Sequence, residues 1–215
     1  MKKFISMSAC FAVAMLLASE AQANNTELLA NTSFESALEE DTSPTTTWGG
    51  FSGYGIFPTL DTTAPLSGAS HLALTMGGVG GSFQGVQQAE NGIITGEDYT
   101  FSFSARTADM TDFGLNAEFR IEWLDSMGGF VGGQFDNNAA IVADDTYSVY
   151  SQTHSAPAGA TQARVVIAVQ TFGSPGTNGT LYIDDASLTG PKAIPEPAAG
   201  LVALALVGFV ARRRR

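Results

Sequence analysis

Basic residues are nearly absent from the body of this chain. Between residues 24 and 190 there are three, Arg106, Arg120 and Arg164, against 19 of the 21 acidic residues, a balance of −16. A field of that sign repels nucleic acid and anionic membrane surfaces, so DNA and RNA are excluded as partners. The same field invites divalent cations. Cysteine is scarcer still: the single one, Cys10, lies inside an N-terminal leader. Disulfides and thiolate metal sites are therefore excluded from everything after it. His71 and His154 are the two histidines, and neither stands in an H-x-x-x-H or H-E-x-x-H context, which leaves no helical zinc motif. There is no G-x-S-x-G elbow for a serine nucleophile. The glycine-rich run Gly77-Gly-Val-Gly-Gly81 continues into Ser82 and Phe83 with no helical pattern behind it, so it reads as a loop rather than a dinucleotide cradle. Glu118 and Glu122 share a strand face but stand roughly 13 Å apart along it, too far to be a glycosidase pair with each other. With Arg120 between them they read as a solvated sheet face. No catalytic centre is expected.

The ends of the chain are patterned differently from its body. Met1-Lys-Lys3 is followed by the apolar stretch Phe11 to Ala18 and by Ala21-Gln-Ala23. A positive start, an apolar core and a small-x-small close, in that order, mark residues 1–23 as a secretory signal cleaved before Asn24 by signal peptidase, whose pocket accepts small side chains at Ala21 and Ala23. The apolar core follows Cys10 instead of preceding it, so the cysteine is not a lipidation site. At the other end, Ile194-Pro-Glu-Pro197 precedes an apolar run over residues 198–211 and the cluster Arg212 to Arg215. Fourteen helical residues cover roughly 21 Å, short of a bilayer core of about 30 Å. The terminal arginines would stay cytoplasmic and leave the domain outside.

Between these ends the sequence alternates. Tyr99-Thr-Phe-Ser-Phe-Ser-Ala105, Leu115 to Leu124, Tyr147 to Tyr150, Ala163 to Val169 and Thr180 to Leu188 each place apolar and polar residues on opposite faces, as strands require. Turn chemistry separates them at Asn91-Gly92, Gly96, Met127-Gly-Gly129, Pro157-Ala-Gly159 and Ser174 to Gly179. No sustained 3.6-residue periodicity interrupts this pattern. Residues 24–190 are expected to form a single all-β sandwich.

Two resemblances sharpen these expectations. The Pro195-Glu196-Pro197 motif, short apolar helix and terminal arginine block resemble the PEP-CTERM sorting signal. That resemblance over residues 191–215 implies a Gram-negative bacterium, processing by an exosortase near the motif, transient anchoring in the inner membrane, and a destination in the cell envelope or biofilm matrix. The body, from Leu28-Leu-Ala-Asn-Thr-Ser-Phe-Glu35 to Leu181-Tyr-Ile-Asp-Asp-Ala-Ser-Leu188, resembles the jelly-roll carbohydrate-binding modules of the galactose-binding-like fold. Ala64 to Leu74, Ile94 to Phe103 and Ala156 to Val165 follow the order of that family's internal motifs, with Tyr147 where a tryptophan often stands. The resemblance implies a structural Ca²⁺ held by Glu35 and Asp184, with Asp185 as the alternate, at a sheet edge where first and last strands meet. The other reading is that the two aspartates end a strand in solvent.

The remaining feature is an aromatic cluster, Trp48-Gly-Gly-Phe-Ser-Gly-Tyr-Gly-Ile-Phe57. Sugars stack on exposed rings and are fixed by amides and carboxylates. Trp48 and Tyr54 are the candidate platform, with Gln84, Gln87 and Gln88 on a neighbouring strand as hydrogen-bonders. The same cluster reads equally as a plug, with Phe51 and Phe57 closing the sandwich end and Trp48 beside them. Trp123 is expected in the core and His154 at an edge. The chain is thus expected to be exported, non-catalytic and associated with exopolysaccharide. A structural or adhesive protein without a glycan site is the alternative, and a hydrolase with an unrecognised carboxylate pair the remote one.

Overall fold

The computed structural model describes residues 25–40, 47–53, 56–77, 81–107, 116–134, 144–170 and 178–193. Residues 1–24, with Ala21 and Ala23 of the expected signal, Tyr54, and residues 194–215, with Pro195, Glu196 and Pro197 of the expected sorting tail, lie outside the described residues.

Among the described residues every regular element is a strand: β1 (Thr26–Glu27), β2 (Glu39–Glu40), β3 (Gly49–Ser52), β4 (Thr59–Asp61), β5 (His71–Gly77), β6 (Phe83–Asn91), β7 (Asp98–Thr107), β8 (Asn116–Leu124), β9 (Phe130–Gln134), β10 (Ser148–Ser155), β11 (Gln162–Gln170) and β12 (Asn178–Gly190). They form two sheets. The first runs β10-β7-β12-β5-β4, with β1 added against β12. The second runs β2-β3-β6-β11-β8-β9, antiparallel throughout except for the parallel β2–β3 pair. The expected jelly-roll β-sandwich is therefore the fold. Chain-adjacent strands largely alternate between the sheets, which makes most pairings non-local.

Alternation explains the core. Phe101 and Phe103 of β7 meet Phe119 of β8 edge-on, with ring centroids 6.3 and 5.0 Å apart. Val165, Ile167 and Val169 of β11 face Leu181 and Ile183 of β12 across the layers, all of them fully buried. Burying each such side chain stabilises the fold by about 1.5–3 kcal/mol. Trp123 is in this core, packed edge-on against Tyr99 at 5.5 Å. His154 lies on β10, an edge strand, as expected.

First and last strands do pair, Thr26 with Gly190 and Glu27 with Thr189. The expected edge position of Asp184 is corrected, however: β12 sits between β7 and β5, in the interior of its sheet. A bulge between Asp184 and Ser187, with Asp185 at φ 50°, inserts one residue into β12. The insertion shifts the inward series from Leu181 and Ile183 to Ala186 and Leu188, so both halves of the strand keep their apolar residues buried.

Candidate functional site

On the outer face of the first sheet, the segment 62–70 lies across β12 and β5. Asp184 points into it and is fully buried. Its Oδ2 accepts the backbone N–H groups of Leu66 and Ser67 at 2.9 and 3.0 Å, and its Oδ1 that of Asp185 at 2.8 Å. Burial pushes its carboxyl above the usual range against the pull of these donors. Glu35 grips the same segment: the N–H of Ala69 donates to both of its oxygens, at 3.0 and 3.1 Å, and that of Ser70 to Oε1 at 3.2 Å. Asp185 is exposed and accepts the Ser67 hydroxyl at 2.6 Å.

Glu35 and Asp184 are therefore brought to one loop, but not to one cation site. A carboxylate offers about four lone-pair positions. Three of those on Asp184 hold N–H donors, and the fourth faces Ser67 Oγ at 3.5 Å. Among the described residues no group of three His, Cys, Asp or Glu is placed to hold a metal ion. The arrangement does not fit the Ca²⁺ that the resemblance implies.

Beside this loop, His71 is buried at the head of β5. Its Nδ1 lies 2.5 Å from the Tyr147 hydroxyl and its Nε2 3.2 Å from Asp61. The ring stacks on Tyr182 at 4.5 Å, and the Arg106 guanidinium covers the Tyr182 ring at 4.3 Å. Burial holds the His71 imidazole below its usual basicity. Both imidazole nitrogens have partners and the ring has no exposed surface, so this cluster ties β4, β5, β7 and β12 together.

The aromatic platform is corrected. Trp48 is fully buried. Its ring lies 5.1 Å from Phe34, and its Nε1–H donates to the Asn31 carbonyl at 3.1 Å. It offers no face to a sugar. Gln84 is equally buried, with Nε2 on the Ile56 carbonyl and Oε1 on the Thr75 amide, both at 2.6 Å. Gln88 is spent on the Ala30 backbone. These even-numbered β6 residues point inward with Val86, whereas Gln87 points outward and is half-buried. The plug reading also needs revision: Phe57 is exposed, and Phe51 is half-buried over the second sheet's outer face.

That outer face carries the chemistry. Because Ala163, Val165, Ile167 and Val169 point inward, Gln162, Arg164, Val166, Ala168 and Gln170 of β11 point out. Cross-strand register builds rows around them. Phe83, Gln170 and Asn116 form one, and Gly85, Ala168 and Glu118 the next, with Phe51 of β3 beside Gly85. Gln87, Val166 and Arg120 follow, then Ala89, Arg164, Glu122 and Gly133. Along these rows runs a ladder of ions. Arg120 binds Glu118 and also Glu122, the latter at 2.7 Å. Arg164 Nε donates to the other Glu122 oxygen at 2.6 Å, and Gln170 to Glu118 at 2.5 Å.

The ladder is not the solvated face expected from the alternation. The side chains of Glu122 and Glu118 are 8% and 15% exposed, those of Arg120 and Arg164 19% and 25%. Their stems cover Val166 and Ala168, which face outward yet are almost fully buried. Two acids and two arginines cancel locally inside a strongly acidic domain. Apolar walls stand beside them. At one corner the Phe51 and Phe83 rings lie 6.2 Å apart, and the absence of a side chain at Gly85 lets Phe51 lie flat: a Cβ there would sit 2.5 Å from Phe51 Cζ. Diagonally opposite, Phe130 is 56% exposed on β9. Arg164, Gln170, Phe83 and Phe130 were not singled out from the sequence. The available signal was that Arg120 and Arg164 fall at outward positions of two alternating strands that also carry Glu118, Glu122 and Gln170 outward.

No family model and no curated protein sequence matches the chain. Among solved structures, the fold is similar to the enzymatically active domain of tailspike protein 4 of bacteriophage CBA120, with TM-score 0.54 and 19% identity over 75% of this chain. This chain spans 21% of that protein's length. It is also similar to the CBM22-1 xylan-binding domain of Paenibacillus barcinonensis Xyn10C (TM-score 0.51, 15% identity, 80% of this chain and 97% of that one). TmCBM61, solved in complex with β-1,4-galactotriose, aligns at TM-score 0.50 and 12% identity, over 76% of this chain and 97% of its own. The domain is thus a jelly roll of the kind found in carbohydrate-binding modules.

Proposed function

We propose that this is a non-catalytic glycan-binding protein whose ligand lies across the outer face of the second sheet. The observation that carries this reading is the ladder Glu118, Arg120, Glu122, Arg164 and Gln170 between exposed phenylalanines. Sugar hydroxyls are matched by paired donors and acceptors held in fixed geometry, and the apolar faces of the rings by aromatic side chains. The ladder is rigid because each arginine is held by carboxylates, so little side-chain freedom is lost on binding. Glycoside hydrolysis needs one carboxyl free to donate a proton, whereas Glu118 and Glu122 are both committed to guanidinium partners. Similarity in fold to a xylan-binding domain and to a module solved in complex with β-1,4-galactotriose supports the ligand class.

The termini supply a route. The leader supports export, and the Pro195-Glu196-Pro197 tail supports exosortase processing after transient anchoring in the inner membrane. The destination is then the cell envelope or extracellular matrix of a Gram-negative bacterium, with exopolysaccharide as the partner. The test is a polysaccharide pull-down and glycan array with the exported chain, its Arg164→Ala and Phe83→Ala variants, and Val149→Ala on the opposite sheet as control. Binding should fall at least about tenfold in the first two, the worth of one lost charge-assisted hydrogen bond or stacked ring, and stay unchanged in the third. Retention of no polymer, or equal binding by all four proteins, would refute the assignment.

A further inference from the structure

We propose that the loop over residues 66–70 closes this fold with backbone amides in the position where the resemblance places calcium, so that the domain's stability does not depend on the ion. Four of the loop's five amide groups, those of Leu66, Ser67, Ala69 and Ser70, aim at carboxylates from opposite ends of the domain, Asp184 and Glu35. The fifth residue, Gly68, makes this possible. It adopts φ 61°, and a Cβ there would lie 2.5 Å from the Glu35 carboxyl carbon and closer still to its Oε1. Any other residue would push the carboxylate off the loop.

The loop is braced from both sides. The Ser70 hydroxyl donates to the Phe34 carbonyl at 2.7 Å, and Asn31 Oδ1 accepts the amides of Glu35 and Ser36 at 2.7 and 3.0 Å, holding the opening turn in shape. Each N–H presents the positive end of a dipole to a carboxylate oxygen. A cation entering here competes for the same lone pairs and meets those dipoles head-on. The amides thus take the electrostatic role of the ion: they offset the buried Asp184 and the exposed Glu35, and tie the chain's opening turn, its segment 66–70 and its last strand into one unit.

Thermal melting of the full chain in millimolar CaCl₂ and in EDTA tests this, with calorimetric titration of CaCl₂ into the protein as a readout independent of unfolding. The two melting temperatures should agree, and titration should show no stoichiometric heat. Gly68→Ala and the isosteric Glu35→Gln should both lower the melting temperature, equally in the two buffers. A calcium-dependent rise of more than about 3 °C that Glu35→Gln abolishes would overturn the proposal. So would stoichiometric Ca²⁺ binding at this site, or a Gly68→Ala protein that melts like the wild type. If Gly68→Ala fails to fold, Glu35→Gln, which keeps an acceptor oxygen, decides the outcome.

Discussion

The junction where β12 leaves its sheet is set by one ring, and a single methyl group at Gly190 should break it. Tyr99 is fully buried, its hydroxyl donating to the Pro191 carbonyl at 2.7 Å and accepting the Ile94 amide at 2.8 Å. The ring lies against Gly190 so closely that a Cβ would meet Cε1 at 2.6 Å and Cγ at 3.0 Å, with Cδ1 nearer still. It cannot swing away, because Trp123 stands edge-on 5.5 Å behind it. Gly190→Ala must therefore push the ring or the last strand. Overpacking alone costs about 1–3 kcal/mol, and breaking the two hydrogen bonds adds about 1–3 kcal/mol for each buried group left unpaired. A loss of about 3 kcal/mol or more is expected, a large part of a typical domain's stability. Tyr99→Phe, which deletes the hydrogen bonds and keeps the shape, should cost less. Urea unfolding followed by tryptophan fluorescence measures both, with Trp123 as the local reporter. In a Tyr99→Leu background the clash partner is gone and the glycine effect should largely vanish, a coupling of about 3 kcal/mol. Refutation would be a Gly190→Ala protein within about 0.5 kcal/mol of wild type, or an equal cost in the Tyr99→Leu background.

Two further outcomes follow from the same geometry. Burial lowers the His71 pKa from 6.5, so above that pH neither state is protonated, and below it the unfolded chain takes up the proton first. Stability conferred by neutral His71 is present above about pH 6.5 and is lost as the pH falls toward its folded value. Asp184 and Glu90, both raised by burial, act in the opposite sense nearer the carboxylate range. Comparing wild type with His71→Gln between pH 7.5 and 5.5 isolates the histidine; equal slopes would contradict the assignment. Second, the two tryptophans, Trp48 and Trp123, are both buried on the inner side. Saturating glycan should leave intrinsic fluorescence unchanged even where a pull-down shows binding, and strong quenching would move the site off the proposed face.

How much of this was legible differs from place to place. The strands β7, β8, β11 and β12 were visible because each needs only its own alternation to declare two faces. The short β9, Phe-Val-Gly-Gly-Gln, was not, because two glycines leave no alternating pattern and its register comes wholly from pairing with β8. Trp48 was ambiguous for a related reason. A tryptophan in a glycine-rich segment is compatible with either exposure, and the decision came from Phe34, 14 residues earlier, and from the Asn31 carbonyl that takes its N–H. Glu118 and Glu122 were correctly placed on one face, but Arg164, which joins Glu122 from β11, lies 42 residues away.

By itself, the chain's order of residues determined which side chains share a face, where turns fall, and that the strongly acidic body after Cys10 must hold together without disulfides. Those are properties of neighbours along the backbone, where a repeat of two is enough. Only the tertiary structure decided which strands lie side by side, that β12 is interior, that amides and not solvent meet Asp184, and that two arginines and two glutamates cancel on one sheet. Such facts depend on register between distant segments, and a local pattern carries no information about the partner that will pair with it.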